Sequence, residues 1–366
     1  MVLGDMTAAK RAGGWFFGAL AVLVLYLFLW PVPVRPVAWE PHPNPPLQGE
    51  YAVNRVLQSM ELYETPGGQG PEDVAVDTAG RVYVGLENGK ILRYASDGSD
   101  PQVFVDTGGR PLGLDFDVNG NLIVADAAKG LLSVDSTGAI EVLCTEAGYH
   151  PFKFTDDVDV DSQNVAWFSD ASSKWGHENH AMEEALESAP NGRLVKYDIN
   201  SGECTVVLNE LFFANGVAVS PDETYVLVNE TMRYRVKRVF VRGPRKGEVD
   251  VFINNLPGFP DGISTGADGT FWLAIYAPRN ALLDSAGPKP WLRKLIYRVP
   301  APLKPKPKRH PFVLGLDEDG KVIHNLQDAD GVDFAKSTSA EQAGEWLYIG
   351  SLTEPKWGRI RLSLLP

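Results

Sequence analysis

From Tyr51 to the end of the chain, apolar residues alternate with polar ones in short runs, and Gly, Asp, Asn and Pro stand between the runs. A period of two marks half-buried strands, and no long stretch here keeps the 3.6-residue period of a helix. Several stretches can be laid over one another: EDVAVDTAGRVYVG from Glu72, LGLDFDVNGNLIVA from Leu112, DDVDVDSQNVAWFS from Asp156, NGVAVSPDETYVLV from Asn215 and DGISTGADGTFWLA from Asp261. In each, the second strand opens ten residues after the first residue, at Val82, Leu122, Ala166, Tyr225 and Phe271. A sixth copy ends in EWLYIGS, and counting ten back from Leu347 puts its opening at Ser337, to within one residue. Four-stranded units repeating at about 40–70 residues predict an all-β fold, a six-bladed β-propeller over residues 51–366. A pair of β-sandwiches would not produce the constant offset. The last unit shows only three strands, so VNRVLQSMEL, ahead of the first unit, is expected to close the ring as its outer strand.

One segment breaks this pattern. Residues 14–30, GWFFGALAVLVLYLFLW, carry no charge. A bilayer span takes about 17–25 such residues. Lys10 and Arg11 precede the run, which predicts a transmembrane signal anchor with residues 1–13 as a cytoplasmic tail and the propeller on the periplasmic, lumenal or extracellular side. A cleaved signal peptide is the alternative, but WPVPVRPVAWEP offers no small-x-small cleavage pattern. The prolines of residues 31–50 predict an extended, stiff spacer.

Composition changes this picture little, charge rather more. The net charge of −13 argues against general binding to nucleic acid or to an anionic membrane. Cys144 and Cys204, the two cysteines, fall in outer strands of successive blades. They are expected as buried free thiols, although an oxidising compartment allows a disulfide.

In a propeller the equivalent positions of the six inner strands meet in one ring. The opening slots read Glu72, Leu112, Asp156, Asn215, Asp261 and Ser337. Carboxylates converging on one axis repel unless a cation lies between them. Oxygen-only donors suit a hard ion, calcium better than magnesium, and the absence of Cys and His from the slots argues against zinc. Asx residues also open strands as turn formers, which accounts for any one slot but not for Glu72. A divalent ion in a channel polarises carbonyl or phosphoryl oxygens or activates water, and a carboxylate beside it serves as nucleophile or base. Esters, lactones and phosphoesters are then the natural substrates.

The stretches FSDASSKWGHENHAMEEALESAPNGRLVKYD, FFANGVAVSPDETYVLVNETMRYRVKR, LPGFPDGIS and GEWLYIGSLTEPKWGRI resemble the strictosidine synthase-like proteins. Among these the chain looks most like the adipocyte plasma membrane-associated type, within the wider superfamily of gluconolactonase and paraoxonase. The resemblance implies a six-bladed propeller and, in the hydrolase branch, one channel calcium held by a Glu, Asn, Asn, Asp pattern. Here that maps onto Glu72, Asp156, Asn215 and Asp261, with Asp156 where the family commonly has Asn. The extra charge at Asp156 tightens cation binding and blunts Lewis acidity, or provides a base. The expected chemistry is hydrolysis of a small-molecule ester or lactone, with Asp261 or Asp156 attacking or activating water. The condensing branch of the family uses a last-blade glutamate, for which Glu341 is the nearest match. A propeller with a purely structural ion is the third reading.

Second strands return to the same face as the slots, so Asp126, Asp170, Glu230, Tyr276 and Ser351 are expected to line the substrate pocket, with Ser172 and Lys174 of SSKW on the rim. HAMEEALESA, from His180, predicts a helical lid, and His177 with His180 is a weak metal spacing. Asn229-Glu230-Thr231 is a glycosylation sequon. KPKPKRHP, from Lys304, is a proline-stiffened basic loop, expected as an ordinary exposed loop, with docking on anionic headgroups near the anchor as the sharper alternative.

Overall fold

The computed structural model of this chain describes the backbone of residues 3–177, 181–304 and 306–365, and side chains within those ranges from residue 14 on, apart from residue 181. Six four-stranded sheets surround a channel, the propeller expected from the repeat. The inner strands are Val74–Val76, Pro111–Phe116, Thr155–Val160, Ala214–Val219, Gly258–Thr265 and Ser337–Ala343, and they touch one another around the ring. Blade six takes its outer strand from the N-terminal side, Glu61–Glu64, which pairs antiparallel with Lys356–Arg361. Tyr63 stacks on the fully buried Trp357 there, at 4.4 Å between ring centroids. The apolar core lies between blades, each inter-blade layer being filled by alternate residues of the facing sheets.

In five blades the ladder between first and second strand shifts register at the slot, as between Thr155 and Val158 or Ala214 and Val217. Such a bulge re-aims a side chain, here into the channel. The register also corrects one slot. Ala340 lies opposite Ile349 as Val158 lies opposite Phe168, so the sixth slot is Thr338 and not Ser337.

Side chains at or below the slots tie each blade to the next. Asp73 accepts from the Val74 and Leu114 amides, Asp115 from Phe116 and Val160, and Asp157 from Val158 and Val217, at 2.7–2.9 Å. The remaining joints use hydroxyl donors: Thr265 to the Val219 carbonyl, Ser264 to Ala340 and Thr338 to Glu72. The inner strands approach so closely that a Cβ on Gly216 would stand 2.4 Å from the Asp261 backbone oxygen. Replacing Gly216 with alanine should therefore cost about 1–3 kcal/mol by overpacking. An unchanged chemical-denaturation midpoint would contradict this.

Two insertions rise from the slot end. Helix α2, Ala181–Glu187, leaves blade three after Asp170; α3, Ala281–Ala286, and α4, Pro290–Arg298, leave blade five after Pro278. They share a small core of Leu186, Ala286 and Ile296 and form a lid. His180 lies outside the described residues, so its spacing to His177 receives no structural account.

The proline-rich segment is extended, but it is not a free spacer. Its Val37 amide donates to the Glu187 carbonyl at 2.9 Å, its Trp39 amide to Gly287 at 3.2 Å, and Arg279 donates to the His42 carbonyl at 3.0 Å. It is a strap along the lid. Prolines lack amide donors, and Val37 and Trp39 supply the N–H groups between them.

The N-terminal helix α1, Leu3–Leu29, precedes the strap. Among the described residues no helix is long and apolar enough to cross a membrane.

Cys144 and Cys204 form a disulfide between the outer strands of blades two and three, overturning the expectation of free thiols. Neighbouring blades bring their Cα atoms to 6.6 Å, within disulfide range.

Candidate active site

The channel is layered by position in the inner strands. The top layer holds the slots: Glu72, Leu112, Asp156, Asn215, Asp261 and Thr338. Glu72, Asp156, Asn215 and Asp261 are all buried. Burial, then the charges of Asp261 and Asp156, push the Glu72 carboxyl well above its ordinary range. Burial and the Asp261 charge do the same to Asp156, against the pull of Arg110. Asp261 is pushed up to about 7 by burial, with a hydrogen bond from Asn215 opposing the rise. The four residues taken from distant parts of the sequence are thus one electrostatic unit.

Donor chemistry fits a hard cation. The Asp156 Oδ2 is buried without a hydrogen-bond partner, the charges of Asp261 and Asp156 act on Glu72, and the Asn215 amide is hydrogen-bonded to Asp261. A buried, unpaired carboxylate oxygen is costly unless something charged meets it. Among the described residues, however, no three His, Cys, Asp or Glu side chains already stand as a metal cage. Glu72, Asp156, Asn215 and Asp261 are the residues that could hold calcium.

Arg110 belongs to this site and escaped the sequence reading. It stands two residues before the leucine slot, buried, with Nη1 donating to the Gly70 carbonyl at 3.1 Å. Its charge acts on both Glu72 and Asp156. The signal was an arginine where the equivalent positions of blades three, four and five carry Phe154, Phe213 and Phe259. Those rings give the opposite side of the mouth an apolar wall, with Phe154 edge-on to Phe213 at 5.4 Å.

Of the residues expected in the pocket, Tyr276 stands by the slots: burial and the Asp261 charge push its phenol up to about 12. The other strand-end residues are engaged by their own blades. Asp126 accepts from the Arg110 amide, Asp170 from Phe154 and Glu230 from Phe212, while Ser351 donates to the Ala335 carbonyl. Each holds the backbone that leads into a slot. Asp170 and Glu230 are further paired with Arg193 and Arg235. Ser172 donates to Glu184 and Lys174 pairs with Glu187, fastening the lid helix to blade three. Asn229 is fully buried and donates to the Asp261 carbonyl, so its sequon is closed to a glycan.

Glu341 is not in the slot layer. It lies three residues past Thr338, level with Asp115 and Asp159, in a lower chamber of about 230 Å³. Burial, then Asp115, Asp73 and Asp159, push its carboxyl well above the ordinary range, and Asp159 is raised to about 6, mainly by burial. Carboxyls held above their unfolded values make the folded state bind more protons. Their stabilising protons are fully in place below pH ~4 and are lost as pH rises through the folded values. In chelator, Glu341→Gln should thus gain stability relative to the native chain as pH climbs from 4.5 to 8. A variant-minus-native melting temperature that falls as pH rises would contradict this.

The comparisons with known proteins agree with this architecture. Residues 156–244 match the family model described as strictosidine synthase, and residues 49–94 that described as strictosidine synthase-like, N-terminal. The protein named strictosidine synthase-like 10 of Arabidopsis thaliana is 35% identical over 335 residues, spanning 83% of this chain and 88% of its own. The adipocyte plasma membrane-associated protein of Danio rerio is 34% identical, spanning 94% and 88%. Among solved structures, a gluconolactonase from Xanthomonas campestris superposes with a TM-score of 0.61 at 16% identity, over 85% of this chain and 91% of its own. A calcium-binding regucalcin from Agrobacterium tumefaciens gives 0.57 at 16%, over 80% and 93%. At such identity these two speak for the fold alone. With relatives at a third identity along nearly its whole length, this chain belongs to the strictosidine synthase-like, adipocyte plasma membrane-associated protein family.

Proposed function

We propose that the protein is a membrane-anchored, calcium-dependent hydrolase of small esters or lactones. The observation that carries this is the slot layer, three buried carboxylates and an amide at the lid end of the channel. Solved propellers with the same fold include gluconolactonases. Calcium, held by Glu72, Asp156, Asn215 and Asp261, would supply the positive charge that polarises the scissile carbonyl.

The chain's own groups do the rest. Asp261, a carboxylate beside the ion, takes a proton from water. The water oxygen adds to the carbonyl carbon, the ester C–O bond breaks, and the proton passes on to the leaving alkoxide. Arg110 lies within reach of negative charge developing beside Glu72. Phe154 and Phe213 offer the acyl portion an apolar wall, and the lid keeps bulk water out.

Residues 14–30 serve as the anchor, with the N-terminus cytoplasmic. Relatives named plasma membrane-associated support this, as does the disulfide, which persists in oxidising compartments. Offering phenyl acetate and simple lactones to the purified chain, with calcium or with chelator, tests the activity. Turnover that chelator abolishes supports the reading. No turnover, with melting still calcium-dependent, would leave a binding propeller with a structural ion.

A further inference from the structure

The lid and the N-terminal helix are physically joined. Arg298, at the end of α4, donates to the carbonyls of Leu27 and Trp30 at 2.9 and 2.7 Å, and the Tyr26 hydroxyl donates back to the Arg298 carbonyl at 3.2 Å. The strap then continues along α2 and α3. The uncharged run of residues 14–30 therefore ends on the slot end of the channel.

That end presents apolar surface to the outside. Helix α4 turns Arg293 and Ile296 inward, while Trp291 remains 58% exposed. Leu303, just beyond it, is 75% exposed, and Trp30, at the junction, 61%. None of these packs into the lid core. Beside them run Lys304, Lys306 and Lys308, a cationic stretch on a chain of net charge −13. Lys306 bears on the half-buried Lys336, two residues before the Thr338 slot, so the cationic edge reaches the channel mouth. Exposed Trp and Leu flanked by lysines, continuous with an apolar helix, match the apolar interior and anionic headgroups of a bilayer.

We propose that the lid face is a membrane-docking surface that lays the slot end of the channel against the bilayer, so that the substrates are lipophilic esters or lactones drawn from the lipid phase. The docking rests on residues 14–30 being membrane-anchored, and the substrate class rests on the hydrolase reading.

Both parts are tested on the full chain reconstituted in vesicles of phosphatidylcholine and phosphatidylserine. A fluorophore is placed at Trp291→Cys, Leu303→Cys or, as control, Val118→Cys, which is exposed on a turn at the opposite end of the channel. All three sites are exposed, and the native cysteines are paired. Bilayer-confined quencher should reduce emission at 291 and 303 at least threefold more than at 118, and iodide should do the reverse. Changing Lys304, Lys306 and Lys308 to Glu should weaken the lipid quenching on anionic vesicles. If the chain floats with vesicles but all three labels respond alike, the anchor stands and the docking surface is refuted. Labels shielded from iodide yet untouched by lipid quencher would mean a protein covers this face, which also refutes it. A chain that fails to float removes the anchor and the docking together. For the substrate, Trp291→Glu should raise KM several-fold for a long-chain lactone dissolved in the vesicles and leave that for phenyl acetate unchanged. An equal rise for both, or turnover of neither, would refute the lipid-phase substrate while the labels still decide the docking.

Discussion

Asp261→Asn should lower kcat/KM for phenyl acetate by about 10²–10⁴-fold, the usual worth of a positioned general base. The asparagine keeps an oxygen donor in the slot but has no group that takes a proton near neutrality. The expectation follows from the environment: burial lifts the Asp261 carboxyl to about 7, against a hydrogen bond from Asn215 that favours the charged form. That value belongs to the metal-free chain; a cation in the slot layer lowers it, which keeps Asp261 ionised and able to accept the proton at neutral pH. Asp261→Ala removes the donor as well, and calcium affinity measured by titration calorimetry should fall together with activity. Retained hydrolysis in either variant would refute the assigned site. Glu341→Gln separates this site from the condensing alternative. Glu341 lies a layer apart, in the lower chamber, so its loss should leave hydrolysis near the native rate.

Removing the disulfide should have the largest effect on stability. The cysteines are 60 residues apart in sequence, and a loop of that length closes at a chain-entropy gain of about 4 kcal/mol. The bridge also joins two blades at their outer edges, where no side chains of the channel reach. Cys144→Ser with Cys204→Ser should therefore move the denaturation midpoint down markedly, and reductant should do the same to the native chain but not to the double variant. A midpoint indifferent to reductant would show that the thiols are not paired in solution.

Much of the fold was legible because a propeller repeats its logic. Alternation marked the strands, and a constant spacing of ten brought Glu72, Asp156, Asn215 and Asp261 into one ring before any coordinates. The spacing failed in blade six. There the hairpin turns tightly through Gly344, with Ala343 opposite Trp346, so the count lands one residue early, at Ser337 in place of Thr338. Arg110 was hidden for a different reason: it precedes a slot filled by leucine, and charge supplied from a neighbouring position has no periodic signature. Asp126, Asp170 and Glu230 were assigned to substrate because strand ends face the mouth, yet the loop amides ahead of the slots needed acceptors. The strap and the disulfide depend on partners far away in sequence, and no local pattern names them.

The closing strand imposes a timetable on synthesis. Glu61–Glu64 leaves the ribosome early, but its partner, beginning at Lys356, follows 292 residues later (356 − 64). At about 5–20 residues per second the first strand waits roughly 15–60 s with its edge unpaired. For that interval the nascent ring is an open chain of sheets, and an exposed edge is a template for the wrong partner. A chain released before Lys356 lacks Trp357 and Arg359 and leaves Glu61–Glu64 without its partner. Completion of the ring therefore waits on the strand Lys356–Arg361, however well the first five blades have formed.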